Sequence, residues 1–261
     1  MTRLLLSLML ILAACALGVR PGMAQEKAPE ETPKETPKET PKEGTPREEG
    51  HDRPTPYPRI RFKPDKIEKV DTPEGGKKDV VSRAYLIDLS DDMTATETLE
   101  DGTVTSRLEL AKSKLKQALD ELSKRRDAVF NIASFGSVSD LADNNQPMAI
   151  TAEIIEKAKK WVDERVAGGK PDLYGLLKAL FEQEPTSAQM LVGSSPTAPA
   201  GVDAKTIEAA GGLQDYLIAS VTQWRGKKKT RLDIVGISLT EEQREFYRKL
   251  AQAGGGVYLD G

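Results

Sequence analysis

Cysteine and histidine are almost missing: the 261-residue chain holds one of each, Cys15 and His51. Both lie ahead of any segment patterned like a folded domain. Serine–histidine–aspartate and cysteine–histidine catalysis are therefore excluded there, as are zinc sites built from these side chains. So are disulfides, which leaves stability to an ordinary hydrophobic core. Aromatic residues make up only 5% of the chain and the formal net charge is −3, so there is no electrostatic footprint for nucleic acid. The basic cluster Arg225, Lys227, Lys228, Lys229 and Arg231 falls between a helical and a strand pattern, where a solvated turn explains it. No Walker loop or Gly-x-Gly-x-x-Gly sequence follows a strand, and nucleotide binding is without support.

One long apolar run opens the chain. Met1 to Leu17 carries an early Arg and then an apolar stretch too short for a comfortable membrane span, the form of a secretory signal. Two processing routes fit. Cleavage after Ala24 would remove residues 1–24 and release a soluble protein. Alternatively, Leu12-Ala13-Ala14-Cys15 resembles a bacterial lipobox, making 1–14 the signal and Cys15 a lipidated amino terminus. On either route the mature protein is extracytoplasmic, and membrane attachment would come only through lipid on Cys15.

Residues 25–58 are rich in Pro, Glu, Lys and Thr, and Glu-Thr-Pro-Lys repeats in tandem from Glu31 to Lys42. Such a segment buries too little apolar surface to offset its ordering entropy, so a disordered tether is expected. With regularly spaced prolines it would reach roughly 3 Å per residue. Residues 59–82 form a transition in which Arg59-Ile60-Arg61-Phe62-Lys63 alternates like an edge strand.

From 83 to 261 the patterns alternate. Ala84-Tyr85-Leu86-Ile87 reads as a strand buried on both faces. Ser106 could cap a helix that carries Leu108, Leu110, Ala111, Leu115, Ala118, Leu119 and Leu122 at helical spacing. A strand at 128–135, helices at 151–166 and 172–181, and a short strand at 189–192 follow. A helix at 213–224, a strand at 231–237, a helix at 241–253 and a strand at 257–259 complete the series. This order predicts one doubly wound, Rossmann-like α/β domain with a mostly parallel central sheet. Trp161 and Trp224 lie on helices as core anchors.

Asp88-Leu89-Ser90-Asp91-Asp92-Met93 leaves the first strand where ligands sit in such sheets. Together with Gly168-Gly169-Lys170-Pro171-Asp172-Leu173-Tyr174 and the closing Leu232–Ile237 and Leu250–Tyr258 segments, it resembles the von Willebrand factor A-type family, over 83–261. The resemblance implies a cation held by Asp-x-Ser-x-Ser, a Thr of a second loop and an Asp of a third. This chain keeps Asp88 and Ser90, but Asp92 replaces the second Ser. Lys170-Pro171 replaces the Thr, and Ser194, or Gly193 if a one-residue gap is allowed, stands at the third-loop Asp. Two readings follow: a modified Mg²⁺ site of Asp88, Ser90, Asp92 and Ser194, or a degenerate loop needing no cofactor.

The resemblance further implies non-catalytic protein binding in the cell envelope, with an unidentified protein partner meeting a rim of Asp91, Met93, Thr94 and Asp172. A metal-independent envelope scaffold or assembly factor is the alternative. A phosphatase of the haloacid dehalogenase type would use Asp88 as nucleophile, but it needs a second Asp where this chain has Ser90.

Overall fold

The computed structural model describes residues 61–62, 69–71, 77–125, 127–136 and 146–261. The signal, Cys15, His51 and the 25–58 tether lie outside the described residues. Of the 59–63 strand, only Arg61 and Phe62 are described, and they are not strand. Phe62 is instead a core residue. Its N–H donates to Gln183 Oε1 at 2.6 Å, and the Arg61 carbonyl accepts from Asn131 Nδ2 at 2.7 Å. A side chain so fully enclosed gains more from burial than an edge pairing would supply.

A short antiparallel pair, β1 (Lys69–Asp71) and β2 (Lys77–Asp79), precedes the main sheet. β3 (Val81–Asp88) is its central strand. Ala84 and Leu86 point into one core layer, and Tyr85 and Ile87 into the other. That two-sided burial is why the strand has no polar break. A 3-10 turn (Asp91–Thr94) and a small antiparallel hairpin follow, β4 (Thr96–Thr98) and β5 (Val104–Ser106). Sequence patterning leaves this stretch as a plain loop.

α1 (Arg107–Ser123) starts where Ser106 Oγ accepts from the Glu109 N–H at 3.2 Å. β6 (Ala128–Phe135) and a two-residue antiparallel β7 (Met148–Ala149) come next. α2 (Ala152–Asp163) is capped by Thr151 and α3 (Leu173–Gln183) by Asp172. Buried Lys112 of α1 donates to Glu109 and to the Asp163 carbonyl at the end of α2, tying the two helices together.

The chain continues through β8 (Ser187–Val192), α4 (Ala204–Ala209), α5 (Leu213–Arg225), β9 (Arg231–Gly236), α6 (Glu241–Ala253) and β10 (Gly255–Asp260). α6 opens on a reciprocal Thr240–Gln243 capping box. The strand order is β10-β9-β8-β3-β6-β7, and every pairing but the last is parallel. α3, α5 and α6 cover one face of the sheet, and α1 and α2 the other. Trp161 and Trp224 are half-buried against these layers. After β3 the sheet grows outward through β6 and β7 on one side and then through β8, β9 and β10 on the other, so the strand order switches between β3 and β8, the point at which such sheets open a crevice at their carboxyl edge. Among the described residues no helix is long and apolar enough to cross a membrane.

Candidate functional site

Three loops meet at that crevice. The first leaves β3 at Asp88, the second runs through Gly168–Asp172 into α3, and the third leaves β8 at Gly193–Ser195. First and second are stitched by main chain. Leu89 N–H donates to Phe135 O at the end of β6 at 2.8 Å, and Gly168 N–H of the second loop donates to Leu89 O at 2.6 Å. Asp91 N–H donates to Gly169 O, and Gly169 N–H returns a bond to Asp91 Oδ1, both at 2.9 Å. Gly136, at φ +155°, permits this close approach. A Cβ there would lie 3.0 Å from the Leu89 carbonyl carbon and 3.1 Å from Gly168 O.

Asp88 joins the first loop to the third. Its Oδ1 accepts from the Ser90 N–H at 2.9 Å. Its Oδ2 accepts from the Gly193 N–H at 3.1 Å and the Ser194 hydroxyl at 2.6 Å. The residue is 0% exposed. Burial pushes its pKa above the ordinary carboxylate value, while the bonds from Ser194, Ser90 and Gly193 pull the other way. The Ser90 hydroxyl is buried beside this carboxylate, close enough to favour its charged form, yet it completes no hydrogen bond.

Two residues that sequence reasoning passed over hold the third loop. Tyr247, wholly buried on α6, donates its hydroxyl to Ser194 O at 2.8 Å. Its phenol is raised well above its ordinary pKa, first by burial and then by the negative charges of Asp88 and Asp92. Arg107 donates to Gly193 O from one side and to Glu97 of β4 from the other, both at 3.0 Å, so it fastens the hairpin to the loop. A tyrosine on the apolar face of α6 was the available signal, because a buried phenol needs a partner. Arg107 sat next to a helix cap and gave none.

The expected rim separates into parts. Asp91, Asp92 and Thr94 are exposed, with the Thr94 hydroxyl bonded back to Asp91 O at 2.7 Å. Met93 is not on the rim: it is 0% exposed and packs in the α1/α2 core layer. The tight 3-10 turn rotates it inward between the outward Asp92 and Thr94, and its apolar side chain gains by that burial. Asp172 is half-buried and caps α3, its Oδ1 accepting from Gly175 N–H at 3.1 Å.

The family's cation can be tested against these donors. Ser194 reaches Asp88 directly, and no ion is needed to bridge them. Pro171 is buried, and its carbonyl already accepts from the Thr197 hydroxyl at 2.6 Å. What remains is a spare lone pair on Asp88, two neutral hydroxyl oxygens and an exposed Asp92. Mg²⁺ demands near-octahedral oxygen ligation and sheds its water reluctantly. The residues present do not fit it. Among the described residues no group of three or more His, Cys, Asp or Glu side chains converges as a metal site.

No family model matches the sequence, and no curated protein matches it. Solved structures do. The PilB minor pilin from Streptococcus sanguinis shares 11% identity at a TM-score of 0.51, over 70% of this chain and 57% of that one. A von Willebrand factor type A protein from Catenulispora acidiphila shares 17% identity at a TM-score of 0.49, over 71% of this chain and 39% of that one. A mussel byssus matrix protein, whose structure is described as having a zinc-occupied MIDAS motif, shares 12% identity at a TM-score of 0.46, over 70% of this chain and 43% of that one. The chain thus covers less than two thirds of the length of each of these. With β3 beside β8 in the middle of the sheet, an antiparallel β7 at one edge and helices on both faces, residues 81–261 have the doubly wound α/β fold expected from the sequence, similar to that of the minor pilin.

Proposed function

We propose that this domain is a non-catalytic protein-binding module of the cell envelope. Its partner meets the exposed part of the carboxyl edge, Asp91, Asp92 and Thr94 with the adjoining β4–β5 hairpin, without help from a metal ion. The observation that carries this reading is the state of Asp88. In an ion-dependent adhesion site that carboxylate holds the cation, and in an aspartate phosphatase it attacks phosphorus. Here it is buried and bonded by Ser90, Gly193 and Ser194, so its work is to fix the loops that carry the rim. The haloacid dehalogenase alternative loses its nucleophile to burial, in addition to lacking the second acid at Ser90. The secretory signal and tether of the sequence support an envelope location. A minor pilin of the same fold supports binding as the task.

Capture experiments from the protein's own envelope test the proposal. Asp92→Lys with Thr94→Lys reverses the exposed rim while leaving the Asp91 latch to Gly169 in place. Capture should fall at least tenfold in this variant and be unchanged by a chelator. Undiminished capture, or capture that requires Mg²⁺, would overturn the proposal.

A further inference from the structure

The two edges of the main sheet are finished differently. β7 closes one edge with only two residues, Met148 and Ala149, a length too short to invite another strand. β10 closes the other with six, from Gly255 to Asp260; it carries neither lysine nor proline, and after an irregularity between Gly255 and Tyr258 its pairing with β9 is regular to Asp260. Val257 and Leu259 on it are 48% and 52% exposed, among the few large apolar side chains of the described residues so open to water.

Backbone direction along β10 follows from its bonds. Val257 N–H donates inward to Asp233 Oδ1 at 3.0 Å and Gly261 N–H inward to Gly236 O at 2.7 Å. By the alternation of a strand, the N–H and C=O groups of Tyr258 and Asp260 face outward, away from β9. The side chains alternate as well. Tyr258 packs on the layer of α6, so Val257 and Leu259 emerge on the opposite face, beside Val235 and Ile237. Among the described residues, α6 is the helix that packs on β10, and it lies on the Tyr258 side.

This edge is complementary to itself. We infer that β10 pairs antiparallel with β10 of a second copy of this chain, about a two-fold axis at Tyr258, joining two sheets into one. In that register Tyr258 exchanges its outward hydrogen bonds with its own mate. Val257 falls opposite Leu259 of the partner, and Leu259 opposite its Val257, as closely spaced non-hydrogen-bonded pairs. Asp260 faces no second Asp260 in that register, and its carboxylate stays with Arg244 at 3.3 Å and the Tyr258 hydroxyl at 2.9 Å. Moving the axis to Leu259 would leave Val257 facing Gly261 and keep a single apolar match, Leu259 on Leu259, in place of two. Two strands joined edge to edge bury less than the roughly 1,200 Å² of a standard interface, so the dimer is a weak one. The surface lies away from the Asp92–Thr94 rim, and the inference does not depend on the proposed function.

Sedimentation of the full chain carrying Cys15→Ser, over a rising concentration series, tests it. A reversible dimer is expected. Val257→Lys with Leu259→Lys should weaken it at least tenfold with the thermal midpoint unchanged, because both side chains are exposed. Val257→Cys with Leu259→Cys should cross-link two copies under oxidation. If the lysine variant fails to fold, Asp260→Pro removes an outward N–H without touching the β9 ladder and should give the same loss. A monomer at every concentration, a dimer indifferent to these changes, or no cross-link would overturn the inference.

Discussion

Replacing Asp88 by alanine separates a structural aspartate from a metal-holding one. The change strands three buried donors, the N–H groups of Ser90 and Gly193 and the hydroxyl of Ser194. A buried donor without an acceptor costs roughly 1–3 kcal/mol. Removing the carboxylate also lifts the burial penalty that raises its pKa, which offsets part of the loss. A net destabilisation of about 3–5 kcal/mol results. Asp88→Asn is milder. Its amide oxygen keeps Gly193 and Ser194, while its NH₂ group faces the Ser90 N–H donor to donor, for a loss of about 1–3 kcal/mol. Ser194→Ala gives up a hydrogen bond to a charged group, about 1.5–3 kcal/mol. With Asp88→Ala already in place it should cost much less, because the hydroxyl then has nothing to bond. Urea unfolding of the single and double variants, with and without chelator, measures these quantities. The reasoning is refuted if Asp88→Ala stays within about 0.5 kcal/mol of wild type, or if its effect appears only when Mg²⁺ is present.

Two further outcomes follow from the same structure. Tyr85, Tyr174, Tyr247 and Tyr258 all have raised phenol pKa values, with burial as the leading cause and Tyr174 and Tyr258 pushed up to about 12. An unfolded tyrosine ionises near 10.0, so the folded state holds these protons longer; their stabilising contribution is complete below pH 10 and is lost as pH rises towards 12. Ultraviolet titration of the tyrosines beside alkaline urea unfolding would show it, and simple titration near pH 10 with no loss of stability would contradict it. Gly256→Ala would drive a Cβ into Leu232 O, a backbone atom that cannot swing aside, whereas a Cβ at Gly102 meets nothing within 4 Å. The first change should lower stability by several kcal/mol and the second, limited to its positive φ, by about 1 kcal/mol, as read from thermal midpoints.

How much of this was legible in the sequence depends on the range of each interaction. Ser106 was readable as a cap because it accepts from an N–H three residues ahead, as Thr151 and Asp172 do at the helices that follow. β3 was readable because burial on both faces leaves an uninterrupted apolar run. Phe62 was misread for a related reason. Alternation of Arg and apolar residues fits a strand locally, but its burial depends on Gln183, 121 positions away. The β4–β5 hairpin was hidden by its Thr- and Glu-rich composition, which carries no apolar face for periodicity to detect. Met93 could not be placed without knowing that the turn after Ser90 is a 3-10 turn.

The candidate site shows the same division at its sharpest. Asp88, Ser90 and Ser194 were each identified as polar groups at the end of a strand, and the fold brings them together. Their pattern suggested ligands radiating from a shared ion. What the sequence positions do not specify is that a serine 106 residues away donates straight into the aspartate. An aspartate at the third-loop position would repel Asp88 at that distance unless a cation lay between them. A serine there turns repulsion into a hydrogen bond. On this argument Ser194 decides the chemistry of the crevice more than Asp92 does. Asp92 adds a carboxylate at the exposed margin, where water already solvates it, and its charge reaches the interior only as a contribution to the raised phenol of Tyr247. Ser194→Asp is therefore the substitution expected to create a need for a cation: destabilising in chelator, and relieved by Mg²⁺ only if the missing second-loop ligand can be replaced by water.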